Sequence, residues 1–219
     1  MPTVTPVIPE TITVHLGAPG TSAANVTLPF WNYIANVASS EIYPSWPENA
    51  LRANIYAQIS FALNRIYTEY YRSRGYDFDI TNSTAYDQYF VEGRDIFSNI
   101  NEIVGEIFNS YVVRQGSVEP LFTQYCNGTT VTCPGLSQWG TVELANRGQT
   151  PYEILQYYYG DDIDIVTNVP VENVRASAPL VPLRPGSAGN GVRNVQIRLN
   201  RISQNYPAIP KIPLVDGIF

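Results

Sequence analysis

The spacing of apolar positions divides the chain into short strands and longer amphipathic helices. After a Pro- and Thr-rich arm over residues 1–10, Thr11 to Leu16 alternates with the two-residue period of a half-buried strand, and Gly17 to Ser22 forms a turn. A second short strand is expected over Ala24 to Leu28. Pro29 then opens a helix carrying Phe30, Trp31, Tyr33, Ile34 and Val37, which ends near Ser39 to Glu41. Ser45-Trp46-Pro47-Glu48 has the spacing of a capping box. Behind it Leu51, Ile55, Ile59, Ala62, Ile66 and Tyr70 recur every three or four residues, predicting one buried stripe that Arg74-Gly75 ends. A further helix is predicted from Arg94 to about Arg114 on Ile96, Ile100, Ile103, Ile107 and Phe108. Between the two, ITNSTAYDQYFVEG has no helical period and reads as a polar loop.

Farther on, Leu121 to Tyr125 predicts a strand leading into CNGTTVTC, a turn-rich loop bracketed by the two cysteines. Ser137 is expected to cap a helix to Arg147 that Gly148 closes. Thr150-Pro151-Tyr152-Glu153 repeats the capping-box spacing with Pro at the first helical position. The short helix it opens carries Tyr157, Tyr158 and Tyr159, which are expected mainly to face the core, and the strand-like Ile163 to Val166 follows. From Asn168 to Pro185 the composition shifts to Pro, Val and Ala, the character of a semi-rigid linker. A last helix over Arg193 to Ser203 presents Val195, Leu199 and Ile202 on one face. The whole predicts an α+β chain: an arm and strand over 1–23, one domain of helices and small sheets over 24–167, a linker over 168–182, and a short helical partial module over 183–219.

Composition narrows the function classes. With 44% apolar and 15% charged residues the chain can bury a core and is not of disordered type. A formal charge of -6 opposes non-specific nucleic-acid binding, which needs a basic footprint, and favours an uncharged or positively charged partner. No apolar run has the roughly 18 to 20 residues of a membrane span, and the N-terminus lacks the basic and apolar regions of a signal peptide. One histidine, His15, offers no defensible Ser-His-Asp arrangement. The Gly186 to Gly191 stretch lacks the Lys and the preceding strand of a phosphate loop. Six residues with an Asn-Gly pair separate Cys126 from Cys133, which permits a tight loop, so the two form either a local disulfide or a reduced pair.

Two stretches, SSEIYPSWPENALRANIYAQISFAL (Ser39 to Leu63) and LSQWGTVELANRGQTPYEILQYYYG (Leu136 to Gly160), resemble signature blocks of the stage II sporulation protein D family, which includes enhancers of cell-wall amidases. The central ITNSTAYDQYFVEG is similar to that family's glutamine-containing middle motif through Gln88 and Gly93, so the resemblance runs from about Val26 to Val166. It implies a lytic transglycosylase of peptidoglycan glycan strands, in the spore or cell envelope of a spore-forming bacterium, with Glu41 at the position of the catalytic acid. It also implies Gln88, Tyr125, Gln138 and Trp139 as glycan contacts. A lytic acid must hold a proton near neutral pH, which calls for a partly apolar site. Ile42, Tyr43 and Trp46 flank Glu41 in sequence.

The chain departs from the family where Gln58-Ile59-Ser60-Phe61-Ala62 replaces an Arg-Thr-Tyr-Ala run. Some relatives bind zinc through Cys and His; here His15 is remote and two cysteines do not fill a tetrahedral site, so neither metal nor other cofactor is expected. LRPGSAGNGVRNVQIRLNRISQNYP followed by VDGIF resembles the front half of a peptidoglycan-binding repeat, through Leu183, Gly186, Gly189, Val192, Gln196 and Leu199. That resemblance implies an incomplete module with a poorly covered apolar face, from either a truncated sequence or completion by another chain. The alternatives to an enzyme are a non-catalytic wall-binding or self-assembling envelope protein and an amidase enhancer.

Overall fold

A computed structural model describes residues 6–172, 183–205 and 208–219. Strand β1 (Thr11–His15) is central in a three-stranded sheet, antiparallel to β2 (Asn25–Pro29) and parallel to β3 (Ile80–Thr81). Helix α1 (Phe30–Glu41) follows β2 directly, with Pro29 as its N-cap residue. The long α2 (Glu48–Tyr67) crosses the middle of the molecule, α3 (Ser98–Ile107) packs on α1, and β4 (Tyr111–Arg114) pairs antiparallel with β7 (Ile163–Val166). A two-residue parallel pair, β5 (Tyr125–Cys126) with β6 (Leu136–Ser137), leads into α4 (Gln138–Asn146) and α5 (Pro151–Tyr159). Helix α6 (Asn190–Asn205) rests against α3. The class is therefore α+β, with helices and three small sheets.

The central helix explains the core. Ile55, Ile59 and Ala62 of α2 join Ile34, Ile100 and Val104 in one buried cluster, while Ala53 and Ala57 meet Leu136, Leu144, Ile154 and Leu155 in a second. The helix is buried on both sides, and it also buries Asn54, Gln58, Asn64 and Arg65, which are hydrogen-bonded. The single stripe read from its spacing is one of its two buried faces. Leu199 and Ile202 of α6 are exposed, and Val192 and Ile197 supply its buried apolar contacts.

Several predicted boundaries are corrected. No side chain caps α2: Pro47 is its N-cap residue, and the Glu48 carboxylate instead pairs with Arg52 at 2.7 Å. The helix stops at Tyr67, before Arg74-Gly75, because the chain turns through Glu69 at φ 50 and brings the Tyr70 ring to 3.7 Å from the Arg65 guanidinium. The predicted helix from Arg94 to Arg114 is a shorter helix followed by a strand. Ile96 is exposed, while Tyr111 and Val113 enter the first cluster and Val112 the second, which is the two-faced alternation of a strand. Of the strand predicted over Leu121 to Tyr125, only Tyr125 is in a ladder, and Ile80–Thr81 of the predicted loop is β3. Tyr157 faces solvent, with Tyr158 and Tyr159 half-buried, because Ile154 and Leu155 occupy the core face of α5.

Other predictions hold. Ser137 accepts from the Gly140 amide as the N-cap of α4, and Thr150 and Glu153 form the reciprocal capping box of α5. Residues 173–182 of the predicted linker and 1–5 of the arm lie outside the described residues.

The loop after β3 is pinned from inside. Arg65 Nε donates to Asp87 Oδ1 at 2.9 Å, and Asp87 Oδ2 accepts from Tyr71 Oη at 2.5 Å and from Thr81 N at 3.0 Å, with the Asp87 side chain wholly buried. Removing one member of a buried ion pair strands the other, whereas an exposed pair contributes little. Asp87→Ala is expected to cost about 3 kcal/mol in urea unfolding, and Asp162→Ala, which breaks the exposed pair with Arg114, under about 1 kcal/mol. Equal costs would contradict this anchoring.

Candidate active site

Glu41 is the last residue of α1, and Ile42 turns the chain into extended backbone behind it. Its carboxylate is met by donors from four separate segments. Gln58 of α2 donates Nε2 to Oε2 at 2.8 Å, and the backbone amide of Tyr89 donates to Oε1 at 2.8 Å. The Tyr125 hydroxyl of β5 also hydrogen-bonds the carboxylate, and Gln138 Nε2, at the start of α4, lies 3.5 Å from Oε2. Behind this ring Gln88 is fully buried. Its Nε2 donates to Tyr125 Oη and to the Gln58 carbonyl, both at 3.0 Å, and its Oε1 accepts from Tyr33 Oη at 3.0 Å. The pinned loop thus delivers both the Gln88 side chain and the Tyr89 amide.

Close backbone approach shapes the opposite wall. A Cβ on Gly135 would sit 1.8 Å from the Gln124 carbonyl oxygen, and one on Gly140 would sit 2.1 Å from Tyr158 Oη. At Gly135 the neighbour is backbone, so only glycine lets β6 lie so near the segment before β5; at Gly140 it is the tip of the Tyr158 side chain, which would have to move.

Burial dominates the electrostatics of Glu41. Desolvation raises its pKa to about 7, outweighing the hydrogen bonds from Tyr89, Tyr125 and Gln58 that pull it down. The C-terminal end of a helix, where the dipole is negative, pushes in the same direction. Desolvation likewise holds the Tyr125 and Tyr33 hydroxyls well above the ordinary tyrosine range, with the Glu41 charge adding to both. They are donors and not bases. A carboxyl with a pKa about 7 that keeps partial contact with solvent can give up and take back a proton near neutrality.

Of the residues predicted for the site, Glu41, Gln88, Tyr125 and Gln138 converge in this one network. Trp139 stands at its rim, 38% exposed, with its ring 4.8 Å from Trp46 and 5.7 Å from Tyr43. Cys126 and Cys133 are disulfide-bonded with Cα atoms 6.1 Å apart, closing the loop between β5 and β6. Two participants lay outside the predicted set. Gln58 was visible only as a departure from a family pattern, and the Tyr89 backbone amide has no signature in side-chain identity. Among the described residues no group of three or more His, Cys, Asp or Glu could hold a metal ion, and no helix is long and apolar enough to cross a membrane.

Residues 20–106 match the family model described as SpoIID, stage II sporulation protein. The match takes in Glu41, Gln58, Gln88 and Tyr89; the block from Leu136 to Gly160 lies beyond it, as does the stretch that resembles a peptidoglycan-binding repeat. No curated protein matches the chain. The matched domain connects the chain with sporulation.

The sign of the pH dependence follows from the raised pKa. Below the unfolded value of about 4.5 both states are protonated, and above about 7 both are ionised. Between them the folded state holds the extra proton, so Glu41 withdraws stability as pH rises. Replacement of Glu41 by Gln removes that loss. The difference in unfolding free energy between Glu41→Gln and wild type is expected to favour the variant by about 2 kcal/mol more at pH 8 than at pH 5. A difference independent of pH would contradict the raised pKa.

Proposed function

We propose that the chain cleaves peptidoglycan glycan strands by a lytic transglycosylase mechanism, with Glu41 as acid and then base, in the spore or cell envelope of a spore-forming bacterium. The observation that carries the reading is the Glu41 carboxyl itself, raised to about 7 by burial and held by donors from four segments. Protonated Glu41 gives its proton to the glycosidic oxygen as the bond to the anomeric carbon breaks and that carbon becomes oxocarbenium-like. A hydroxyl of the same sugar then closes on the anomeric carbon and returns its proton to Glu41, leaving an anhydro end and the starting form of the acid. No water is consumed.

Neighbouring groups support this assignment. Gln58 Oε1 is buried and has no hydrogen-bond partner among the described residues, while the nitrogen of the same amide holds Glu41. Gln58 takes a positioning role, its amide nitrogen holding the Glu41 carboxylate.

A second reading, wall binding or self-assembly without cleavage, is favoured by the exposed Leu199, Ile202, Leu214, Ile218 and Phe219 of the C-terminal segment. Digestion of purified glycan strands by wild type and by Glu41→Gln, read by mass spectrometry, separates the two. The cleavage reading expects anhydro-muramyl ends from wild type and at least about a hundredfold fewer from the variant. Strands left intact by both proteins that nevertheless co-sediment with them would replace it with the second reading.

A further inference from the structure

Beside Glu41 the chain assembles three aromatic rings that the proposed chemistry does not use. Tyr43 lies two residues past Glu41, and Trp139 directly follows Gln138. Both pack on Trp46, with ring centroids 5.7 Å apart for Tyr43–Trp46, 4.8 Å for Trp46–Trp139 and 5.7 Å for Tyr43–Trp139. Trp46 is nearly buried, but Tyr43 is 57% and Trp139 38% exposed. Large aromatics left open in a supported group form a platform rather than a core.

Trp46 also lines a cleft of about 130 Å³ together with Glu48, Leu51, Asn99, Glu102, Ile103 and Lys211. Lys211 Nζ lies 3.1 Å from Glu102 Oε1 and 3.0 Å from Glu106 Oε1, so the C-terminal segment is tied to α3 at this cleft. The side-chain amide of Asn99 donates to the Pro44 carbonyl at 2.8 Å, holding the turn that carries Tyr43 against α3. The cleft is well below the size of about 300 Å³ that encloses a drug-sized ligand. It suits a ring substituent, with the ring itself lying on the aromatic faces.

Resting on the proposed function, we propose that Tyr43, Trp46 and Trp139 with the adjoining cleft form a second saccharide subsite, which takes a sugar of the glycan strand beyond the pair at Glu41. The occupant's chemistry follows from the lining. Flat aromatic faces bind the apolar C–H face of a pyranose. The fixed carboxylate of Glu102 and ammonium of Lys211 offer an acceptor and a donor to hydroxyl or acetamido groups. A linear polymer also needs contacts on more than one ring if remote binding is to support the step at the reacting bond.

The test is calorimetric titration of the full chain with the di- and tetrasaccharides of N-acetylglucosamine, with amide chemical shifts mapped in parallel. Wild type is expected to bind the tetrasaccharide more tightly than the disaccharide. Trp139→Ala and Tyr43→Ala should each weaken tetrasaccharide binding about tenfold. The longer ligand should also shift the amides of Asn99 and Lys211. Absence of tetrasaccharide binding by wild type, unchanged affinity in both folded aromatic variants, or shifts that leave Asn99 and Lys211 untouched would each overturn the subsite. The two readings fail separately. Cleavage that needs Glu41 but ignores the aromatic variants removes the subsite alone, whereas tetrasaccharide binding that needs the aromatics without any cleavage removes the transglycosylase alone.

Discussion

The arrangement rests on one constraint: a carboxyl placed under the protein surface at the end of a helix, surrounded by donors that no single segment could supply. Burying a carboxylate without compensation is costly, and the hydrogen bonds from Gln58, Tyr89 and Tyr125 offset part of that cost. Because the offset is partial, the carboxyl retains a proton to higher pH than usual. Much of the fold serves to bring those donors together. Helix α2 supplies Gln58 from the middle of the core, the parallel pair β5 and β6 supplies Tyr125 and opens α4 for Gln138, and the loop after β3 brings Gln88 and Tyr89.

That loop shows how packing is converted into chemistry. Its backbone amide can hold Glu41 only if the segment is fixed, and the fixing is done at a distance, by Asp87 buried among Arg65, Tyr71 and Thr81. Arg65 is in turn held over the rings of Tyr70 and Phe122. Buried charge of this kind adds little net stability, but it selects one conformation over others. The selected conformation is the one in which Gln88 reaches Tyr125 and the Tyr89 amide reaches Glu41.

What the sequence disclosed follows the strength of its local signals. The capped helices α4 and α5 were legible because a cap is a short-range device whose partners lie three residues apart. Helix α3 and strand β4 merged into one predicted helix because Ile103, Ile107 and Tyr111 continue a four-residue spacing, and the two-sided burial of Val112 against Tyr111 and Val113 appears only once α2 lies between the two clusters. Strand β3 escaped notice because two residues, Ile80 and Thr81, are too few to show a period. In the site, Glu41, Gln88, Tyr125 and Gln138 carried motif signals, and they meet in space. The Tyr89 contribution is a main-chain group, and the role of Gln58 depends on facing Glu41 across 17 positions of sequence, so neither could be read locally. Tyr43 and Trp46 were legible as apolar neighbours of Glu41, but not as a platform shared with Trp139.

The most direct measurement is a carbon-detected NMR titration of the Glu41 side-chain carboxyl in the intact protein, assigned by its loss in Glu41→Gln. The account predicts a midpoint of about 7, well above the ordinary glutamate value near 4.5. A midpoint in the ordinary range would contradict it, because a carboxyl already ionised at neutral pH could not be the acid that this arrangement of buried donors is taken to hold.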